Sequence, residues 1–282
     1  MAADTQRPRS MVTGASRGIG KAVAVHLARA GYDVALTART QVAGEAREHS
    51  STLKKSDSRP LPGSLAETAQ LVNEAGGEAL VVPADLLDLE SVAAAARAVQ
   101  DAWGCVDVLV NNGRYVGPGH MDELVDTPVQ LIQDHFTANV MAPLTLIKAF
   151  IPCMVREGGG TVVNITSGAG YADPPAKVGS GGWGLGYGMS KGALHRAAGI
   201  LALELGDRGL HFFNVQPGFI ATERMAMDMA DFGFDPSTGA PPDVVGAVVA
   251  WIATDPASAG PNGRNFEAQD ECRARGLLPG WG

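Results

Sequence analysis

The sequence predicts a single α/β domain in which a doubly wound parallel β-sheet of about seven strands carries helices on both faces. Short runs rich in Val, Ile and Leu alternate with helical patterns along the 282 residues. Several runs are nearly continuous in apolar residues, as expected for strands buried on both faces. Strand–helix alternation along the whole chain is typical of such a sheet. No repeat or domain boundary is visible, so residues 1–282 are assigned to one domain.

The elements follow one another in a regular order. The apolar runs predict strands at Met11–Ala15, Asp33–Ala38, Ala79–Ala84, Val106–Asn111, Thr161–Thr166 and His211–Gln216, with Asn265–Gln269 as a last edge strand. The helical patterns between them predict helices at Gly18–Ala30, Leu65–Ala75, Ser91–Trp103, Val129–Arg156, Tyr187–Asp207 and Asp243–Thr254.

Three long segments interrupt this alternation, and a tail follows it. Residues 41–63 form a polar excursion after the second strand, and residues 168–186 hold seven glycines and Trp183. Residues 223–241 contain a group of methionines and phenylalanines: Met225, Met227, Met229, Phe232 and Phe234. Long loops in a compact domain are usually functional or disordered, so we expect inserted or substrate loops here and a tail at 271–282.

A glycine-rich turn joins the first strand to the first helix. Its residues are Thr13, Gly14, Ala15, Ser16, Arg17, Gly18, Ile19 and Gly20. Glycines let the backbone turn tightly and approach a pyrophosphate, and the helix dipole and free N–H groups favour the anion. At the first strand–helix junction, this pattern predicts a dinucleotide site in a Rossmann-type sheet.

The end of the second strand indicates which dinucleotide binds. An NAD site usually places an acidic residue there for the ribose 2′-hydroxyl. This chain has Arg39 instead, and Arg17 lies in the glycine loop. Two guanidiniums suit a 2′-phosphate, which favours NADP(H) over NAD(H); the alternative is that Arg39 is a solvated surface residue.

Tyr187 and Lys191 lie four residues apart, and Ser167 lies twenty residues before Tyr187. A tyrosine and a lysine at this spacing share one helix face. A free tyrosine has a pKa near ~10, and a lysine charge beside it favours the phenolate. The pair is therefore a candidate acid–base centre, whereas on its own it also fits a solvated helix face.

Motifs in a fixed order resemble the short-chain dehydrogenase/reductase family, in the subgroup with a T-G-x-x-x-G-x-G loop and a Y-x-x-x-K pair. The resemblance covers about residues 10–270 and rests on Thr13–Gly20, Asp85, Asn111–Gly113, Asn139, Ser167, Tyr187–Lys191 and Pro217–Thr222. It implies a hydride transfer between NADP(H) and a carbonyl or secondary alcohol.

The resemblance also implies residue roles. Tyr187 exchanges the alcohol proton, Ser167 holds the substrate oxygen, Lys191 assists Tyr187 and binds the nicotinamide ribose, and Asn139 orients a water. The implied cofactor contacts are Gly14, Ser16, Arg17, Gly18, Ile19, Gly20, Arg39, Asp85, Leu86, Asn111, Gly113, Tyr187, Lys191, Pro217, Gly218, Ile220 and Thr222. Structural alternatives stay open for three of them: a helix kink or cap at Asn139, an N-cap at Asp85 and a plain turn at Thr222.

The chain departs from the family pattern in three places. Arg114 follows Gly113, where small residues are usual, and either reaches a substrate anion or faces solvent. The spacing of twenty residues between Ser167 and Tyr187 is longer than is usual in the family. The end of the chain, residues 271–282, lacks the family's usual glycine-rich close. We expect residues 168–186 and the methionines and phenylalanines of 225–234 to shape a substrate pocket; the alternative is that the latter pack against a neighbouring subunit.

Composition and sequence patterns narrow the possible partners, metal sites and cellular location. A net charge of −8 disfavours a nucleic-acid partner. No stretch approaches 18 uninterrupted apolar residues, and the first ten residues lack a signal-peptide pattern, so neither a membrane partner nor secretion is expected. The histidines show no metal-ligand spacing. Three scattered cysteines predict reduced thiols in the cytoplasm, with Cys105 and Cys153 as small core residues.

The predicted function is that of an NADP(H)-dependent oxidoreductase acting on a small-molecule carbonyl or alcohol, with Tyr187 as general acid and base. The apolar helices Val129–Arg156 and Tyr187–Asp207 predict a homodimer or homotetramer. The alternative function is a catalytically silent NADP(H)-sensing or scaffold protein of the same fold.

Overall fold

Seven parallel strands form one sheet in the order β3-β2-β1-β4-β5-β6-β7. The computed structural model describes residues 7–228, 232, 235–257 and 259–281. The strands are β1 (Arg9–Thr13), β2 (Asp33–Thr37), β3 (Ala79–Val81), β4 (Val108–Asn111), β5 (Gly160–Ile165), β6 (Leu210–Gln216) and β7 (Asn265–Glu267). The predicted fold class is confirmed, including the short edge strand at the end.

Helices cover both faces of the sheet. Within the described residues they are α1 (Gly18–Arg29), α2 (Leu65–Glu74), α3 (Leu89–Trp103), α4 (Val129–Phe136), α5 (Ala142–Arg156), α6 (Leu185–Leu205), α7 (Glu223–Asp228), α8 (Asp243–Thr254) and α9 (Ala268–Arg275). One core layer packs α1, α2 and α8 against the sheet, and the other packs α3, α5 and α6 against it. Burial of β2 on both faces explains its continuous apolar sequence.

The strand order reverses between β1 and β4. The chain builds β2 and β3 on one side of β1 and then crosses to build β4 on the other side. In open α/β sheets the crevice at the carboxyl ends of the strands at such a switch point binds ligands. The turn after β1 holds the glycine loop, and the residues after β4 include Asn112, Gly113 and Arg114.

A line of four asparagines crosses half of the sheet. Asn111, Asn164, Asn214 and Asn265 lie opposite one another on β4, β5, β6 and β7. Their amides are joined by Asn111 Nδ2 to Asn164 Oδ1 (3.0 Å), Asn164 Nδ2 to Asn214 Oδ1 (3.4 Å) and Asn214 Nδ2 to Asn265 Oδ1 (2.7 Å). The predicted cofactor residue Asn111 is therefore buried in the sheet and engaged by its neighbour on β5.

The predicted helix Val129–Arg156 contains one wide turn. Residues Thr137–Met141 form a π-helical turn between α4 and α5. Asn139 lies inside it, and such turns are frequent at functional sites. Among the described residues, Val129–Arg156 is also the one helical stretch long and apolar enough to cross a membrane; half of its most apolar window is buried in the protein, as in a core helix.

Two of the three cysteines are not free thiols. Cys105 and Cys153 form a disulfide with their Cα atoms 5.7 Å apart, whereas Cys272 is free and buried. The expectation of reduced thiols is wrong for this pair, although both residues are buried in the core as predicted. The disulfide could not be predicted from the sequence, because the two cysteines are 48 residues apart and only the packing of α5 beside the start of β4 brings them together.

Candidate active site

The glycine loop is shaped by close approach of its own backbone. Gly14 and Gly18 have φ angles of 66° and 53°, a region that favours glycine. A Cβ on Gly20 would lie 2.2 Å from the carbonyl oxygen of Gly14, so no side chain fits there. The loop therefore brings backbone N–H groups to the start of α1, as a dinucleotide site requires.

A carboxylate already lies at this helix N-terminus. Glu223, at the start of α7, accepts a hydrogen bond from the Gly18 N–H (3.0 Å) and another from Lys21 Nζ (2.7 Å). The contact couples the segment after Thr222 to the glycine loop across the mouth of the sheet. It also illustrates the preference of this helix end for negative charge.

The inserted segment 41–63 folds over one side of the site. Arg17 donates from Nε to the carbonyl of Pro62 (2.8 Å) and from Nη2 to the carbonyls of Leu61 (3.4 Å) and Gly63 (2.9 Å). The Arg17 guanidinium thus holds the end of the insertion. Its predicted partner, a 2′-phosphate, would have to share it with these carbonyl oxygens.

The middle of segment 41–63 is held by Arg224 and Asp122, away from the contacts that Arg17 makes with its end. Arg224 donates to the His49 carbonyl (3.1 Å) and to Ser51 Oγ (2.8 Å). Asp122 accepts from Thr52 Oγ1 (2.5 Å) and from the Leu53 N–H (2.9 Å). No sequence motif predicts these contacts. They hold part of the polar segment 41–63 in a buried position beside the site.

One continuous cavity runs from the glycine loop to Tyr187 and Lys191. Of the predicted site residues, it is lined by Gly14, Ser16, Arg17, Gly18, Ile19, Gly20, Arg39, Asp85, Leu86, Gly113, Tyr187, Lys191, Pro217 and Thr222. The insertion adds Glu45, Arg47, Glu48, His49 and Leu61 to its wall. The glycine loop and the acid–base pair therefore open into the same space.

The predicted residues that do not line this cavity are Asn111, Asn139, Ser167, Gly218 and Ile220. Gly218 has a φ of 74°, and a Cβ there would meet the side chain of Gln269. Ile220 is buried and forms a bridge with Ala240. Both residues shape the backbone after β6, on the side where Thr222 reaches the cavity.

Arg39 and Arg47 lie together at the end of the cavity formed by β2 and the insertion. Arg39 Nη1 is 4.0 Å from Asp85 Oδ2, and both side chains are partly exposed. Arg47 Nη2 donates to the carbonyl of Arg39 (2.9 Å) and to Glu45 Oε2 (2.6 Å). We call this region the adenosine end, since it lies where the end of β2 meets the adenine ribose in dinucleotide folds.

Lys191 is buried beside the strand that precedes Ser167. Its Nζ donates to the carbonyl of Ile165 at 2.8 Å. Burial first, and the Arg114 charge second, lower the pKa of Lys191 to about 7. A lysine in this state can hold or release a proton near neutral pH.

Ser167 and Asn139 are held by local hydrogen bonds. Ser167 Oγ accepts from the Ala169 N–H (3.2 Å) at the carboxyl end of β5. Asn139 Oδ1 accepts from the Tyr115 N–H (2.6 Å), and its Nδ2 donates to Ser190 Oγ (2.9 Å). Asn139 thus ties the π-helical turn to the loop after β4 and to α6, between Tyr187 and Lys191 in sequence.

Two buried histidines that sequence patterns did not single out lie next to Tyr187. The His120 ring centroid is 4.4 Å from that of Tyr187, and the His135 centroid is 6.3 Å away. Burial, followed by the Arg114 charge, lowers the pKa of His120 well below its ordinary value and that of His135 to about 3. Both rings are therefore neutral at pH 7.

The long loops meet around a small apolar cluster. Met121 and Phe232 are buried together, with Val178 and Met225 packed against them. The Gly181 N–H donates to the carbonyl of Phe232 (2.9 Å), which joins the 168–186 loop to the 223–241 segment. Met225 also lines the cavity. Met229 and Phe234 of the predicted pocket segment lie outside the described residues.

The lowered pKa of Lys191 makes a prediction about stability without cofactor. An unfolded lysine titrates near ~10.5, so between pH 7 and that value the unfolded state binds more protons than the folded state. The free energy of unfolding then rises with pH across this window. Relative to Lys191→Met, the wild type should gain about 3 kcal/mol between pH 7 and 9.5, measured by urea unfolding. Parallel curves for the two proteins would contradict the buried, neutral lysine.

The described residues contain no group of three or more His, Cys, Asp or Glu side chains placed to hold a metal ion. The site combines the glycine loop, Tyr187 and Lys191, which line one cavity, with neutral histidines next to the tyrosine. These groups suit proton exchange beside a bound dinucleotide.

Comparison with known proteins places this arrangement in a family. Residues 9–61 and 58–231 match the family model described as short chain dehydrogenase. The chain is 30% identical over 262 residues to a 3-oxoacyl-[acyl-carrier-protein] reductase of Synechocystis sp., covering 91% of this chain and 93% of the relative.

Solved structures resemble the fold over nearly the whole chain. A putative dehydrogenase from Xanthomonas campestris has a TM-score of 0.77 and 26% identity, covering 97% of this chain and 92% of that one. A 3-oxoacyl-[acyl-carrier protein] reductase from Brucella melitensis, solved in complex with NAD, has a TM-score of 0.74 and 25% identity, covering 94% and 96%.

Proposed function

Because this chain belongs to the short-chain dehydrogenase family, we propose that it transfers a hydride between NADP(H) and a carbonyl or secondary alcohol, with Tyr187 as the general acid and base. An oxidoreductase acting on CH–OH or C=O groups follows from the family. The observation that carries the finer proposal is the single cavity shared by the glycine loop, Tyr187 and Lys191.

The site fits a dinucleotide on its own evidence. Gly14 and Gly20 let the loop backbone approach itself and Asn112 more closely than any Cβ would allow, and the N-terminus of α1 lies beside it. This loop would hold the pyrophosphate, and Arg39 and Asp85 the adenosine. Tyr187, Lys191 and Thr222 would lie at the nicotinamide end. The bound cofactor supplies the hydride chemistry, whereas proton movement and orientation belong to the protein.

The protein's part in reduction is a proton donated by the Tyr187 hydroxyl to the substrate oxygen. Ser167 Oγ is proposed to hydrogen-bond the same oxygen and stabilise its developing charge. Lys191, with a pKa of about 7, can resupply a proton toward Tyr187. Asn139 supports this arrangement by fixing the backbone of Tyr115 and the side chain of Ser190.

The preference for NADP(H) is proposed from Arg39 and the absence of an acidic residue at the end of β2. NAD is present in one structural relative, so both cofactors are to be compared directly. We expect a lower Kd for NADPH than for NADH. Arg39→Ala should raise the Kd for NADPH by about 10- to 100-fold and leave that for NADH nearly unchanged.

Fluorescence titration with each nucleotide measures this preference. Arg97→Ala, which removes an exposed arginine paired with Glu90, is the matched control. Equal or tighter binding of NADH by the wild type would contradict the proposed preference without touching the hydride transfer.

Turnover tests the reaction itself. A panel of ketones, aldehydes and secondary alcohols, followed by nicotinamide absorbance, should yield at least one substrate. No turnover with any member, despite tight NADPH binding, would favour the silent cofactor-sensing alternative.

A homo-oligomer is proposed from apolar side chains that are exposed on α6. Leu203 is 90% exposed on α6, and Leu185, Met189 and Ile200 on the same helix are also exposed. Such apolar side chains are better buried, so we propose a homodimer or homotetramer that covers them. A cytoplasmic location is also proposed, although the Cys105–Cys153 disulfide removes reduced thiols as an argument for it.

A further inference from the structure

Three arginines line the cavity at and beside the adenosine end: Arg17, Arg39 and Arg47. Arg17 belongs to the glycine loop, Arg39 follows β2, and Arg47 belongs to segment 41–63. Burial is the first cause that lowers the pKa of Arg17, and the charges of Arg39 and Arg47 lower it further. The three guanidiniums are therefore close enough to repel one another, and a bound phosphate would offset that repulsion.

The Arg17 guanidinium is occupied by the end of segment 41–63. Its Nε and Nη2 donate to the three successive carbonyls of residues 61–63, at 2.8 to 3.4 Å. Gly63 has a φ of 95°, and a Cβ there would lie 2.5 Å from the Ser16 carbonyl oxygen. The segment therefore rests directly on the glycine loop, and Arg17 holds it there.

Arg47 reaches the adenosine end from within the same segment. Its Nη2 donates to the carbonyl of Arg39 (2.9 Å) and to Glu45 Oε2 (2.6 Å). Glu45 Oε1 in turn accepts from the N–H groups of Gln41 and Val42, each at 2.9 Å. These contacts fix the Arg47 guanidinium next to the backbone of Arg39. Both of its contacts with described residues use Nη2, so the donors of Nε and Nη1 remain for a ligand.

Three carboxylates line the same cavity, and each accepts hydrogen bonds from the protein: Glu45, Glu48 and Asp85. Glu48 accepts from the N–H groups of Ser50 (2.8 Å) and Asp57 (3.0 Å). Asp85 Oδ1 accepts from the Leu87 N–H (3.0 Å). Arginine carries five N–H donors in one plane, so Arg47 can keep its Glu45 contact and still bind a phosphate oxygen.

Building on the proposed function, we propose that Arg47 determines cofactor specificity: with Arg39 it binds the 2′-phosphate of NADP(H), whereas Arg17 holds segment 41–63 in place. The second guanidinium for this phosphate then comes from the insertion and not from the glycine loop. A phosphate monoester carries about −1.5 to −2 charges at pH 7, which two arginines match. The preference for NADP(H) over NAD(H) is thus a property of the inserted segment.

Arg47→Ala tests the proposal by fluorescence titration with both nucleotides. It should raise the Kd for NADPH by about 10- to 100-fold and leave the Kd for NADH within about twofold, since only NADPH carries the 2′-phosphate. Arg47→Lys should recover part of the loss, because it keeps the charge but not the planar donors. Arg97→Ala is again the matched control on α3.

Two outcomes of this titration are distinguishable. A wild type that prefers NADPH, together with an Arg47→Ala variant of unchanged preference, overturns the inference while the proposed function stands. A wild type that binds NADH as tightly as NADPH overturns the proposed cofactor preference itself.

Arg17→Ala should give the opposite pattern. Because Arg17 is assigned to the insertion, its loss should weaken NADPH and NADH by a similar factor. The melting temperature should fall, and trypsin should cut segment 41–63 faster at the exposed Lys54. Loss of NADPH binding alone, in an Arg17→Ala protein of unchanged melting temperature, overturns the assignment.

Glu45→Gln tests the neighbouring carboxylate. Glutamine keeps an acceptor for the Gln41 and Val42 N–H groups and removes a negative charge beside the phosphate. NADPH should bind about two- to fivefold more tightly, and NADH should be unchanged. Weaker NADH binding by this variant would mean that Glu45 holds the ribose 2′-hydroxyl, which overturns the inference.

The nucleotides 2′,5′-ADP and 5′-AMP isolate the contribution of the 2′-phosphate. By calorimetry the wild type should bind 2′,5′-ADP more tightly, and Arg47→Ala should reduce that advantage by about tenfold or more. An undiminished advantage in Arg47→Ala overturns the inference. The wild type alone offers a second measurement: saturating 2′,5′-ADP should slow trypsin cleavage at Lys54 more than saturating 5′-AMP does. Equal protection by the two nucleotides contradicts a phosphate contact in segment 41–63.

Discussion

Replacing Tyr187 with phenylalanine is expected to lower kcat by about 10²- to 10⁴-fold. The phenol hydroxyl is the one group proposed to exchange a proton with the substrate oxygen, and the Nζ of Lys191 donates to the carbonyl of Ile165. The ring itself stays, so its contacts with His120 and Arg114 are kept. The Kd for NADPH should therefore stay within about twofold.

Steady-state NADPH oxidation and fluorescence titration separate the two effects. Tyr32→Phe is the matched control, because it removes a buried hydroxyl that donates to the carbonyl of Ala253, far from the cavity. That variant should lose some stability and keep its kcat. Unchanged turnover in Tyr187→Phe would overturn the proposed acid–base role.

Gly20→Ala is expected to weaken NADPH binding by more than about 30-fold and to lower the melting temperature. The added methyl group would lie 2.2 Å from the Gly14 carbonyl oxygen and 2.6 Å from Asn112 Nδ2. Because the nearest atom belongs to the backbone, the glycine loop itself must move. Its N–H groups then no longer converge on one phosphate position.

Gly199→Ala is the matched control for this change. Gly199 lies within α6, and a Cβ there meets nothing within 4 Å. Alanine is the better helix former by about 1 kcal/mol, so this variant should fold and should bind NADPH normally. Normal NADPH binding by a folded Gly20→Ala would contradict the assignment of the phosphate site.

The parts of the molecule that follow local rules could be predicted from the sequence. The valine-rich runs predicted the strands because burial on both faces requires apolar residues at every position. The glycine loop could be located because its backbone leaves no space for a Cβ, as at Gly20. Tyr187 and Lys191 were found because helix spacing places both on one face, and both line the cavity.

The parts set by tertiary contact could not be predicted. Segment 41–63 has no periodicity, and its position depends on Arg17, Arg224 and Asp122, which lie far away in sequence. A π-helical turn at Asn139 does not disturb an apolar pattern enough to be seen. His120 and His135 belong to no motif and reach Tyr187 through separate elements.

The asparagine line across β4 to β7 has a consequence for how the sheet assembles. In the observed alignment each pair of neighbouring asparagines shares one amide hydrogen bond, whereas a shift of two residues in one direction would place Asn111 opposite Val162 and Asn164 opposite Phe212. Each buried amide left without a hydrogen-bond partner would lower the free energy of unfolding by about 1 to 3 kcal/mol. Valine-rich strands are otherwise permissive partners, because nearly every alignment of them buries apolar surface. The asparagines therefore favour the observed alignment of β4, β5 and β6 over the shifted alignment that places them opposite apolar residues.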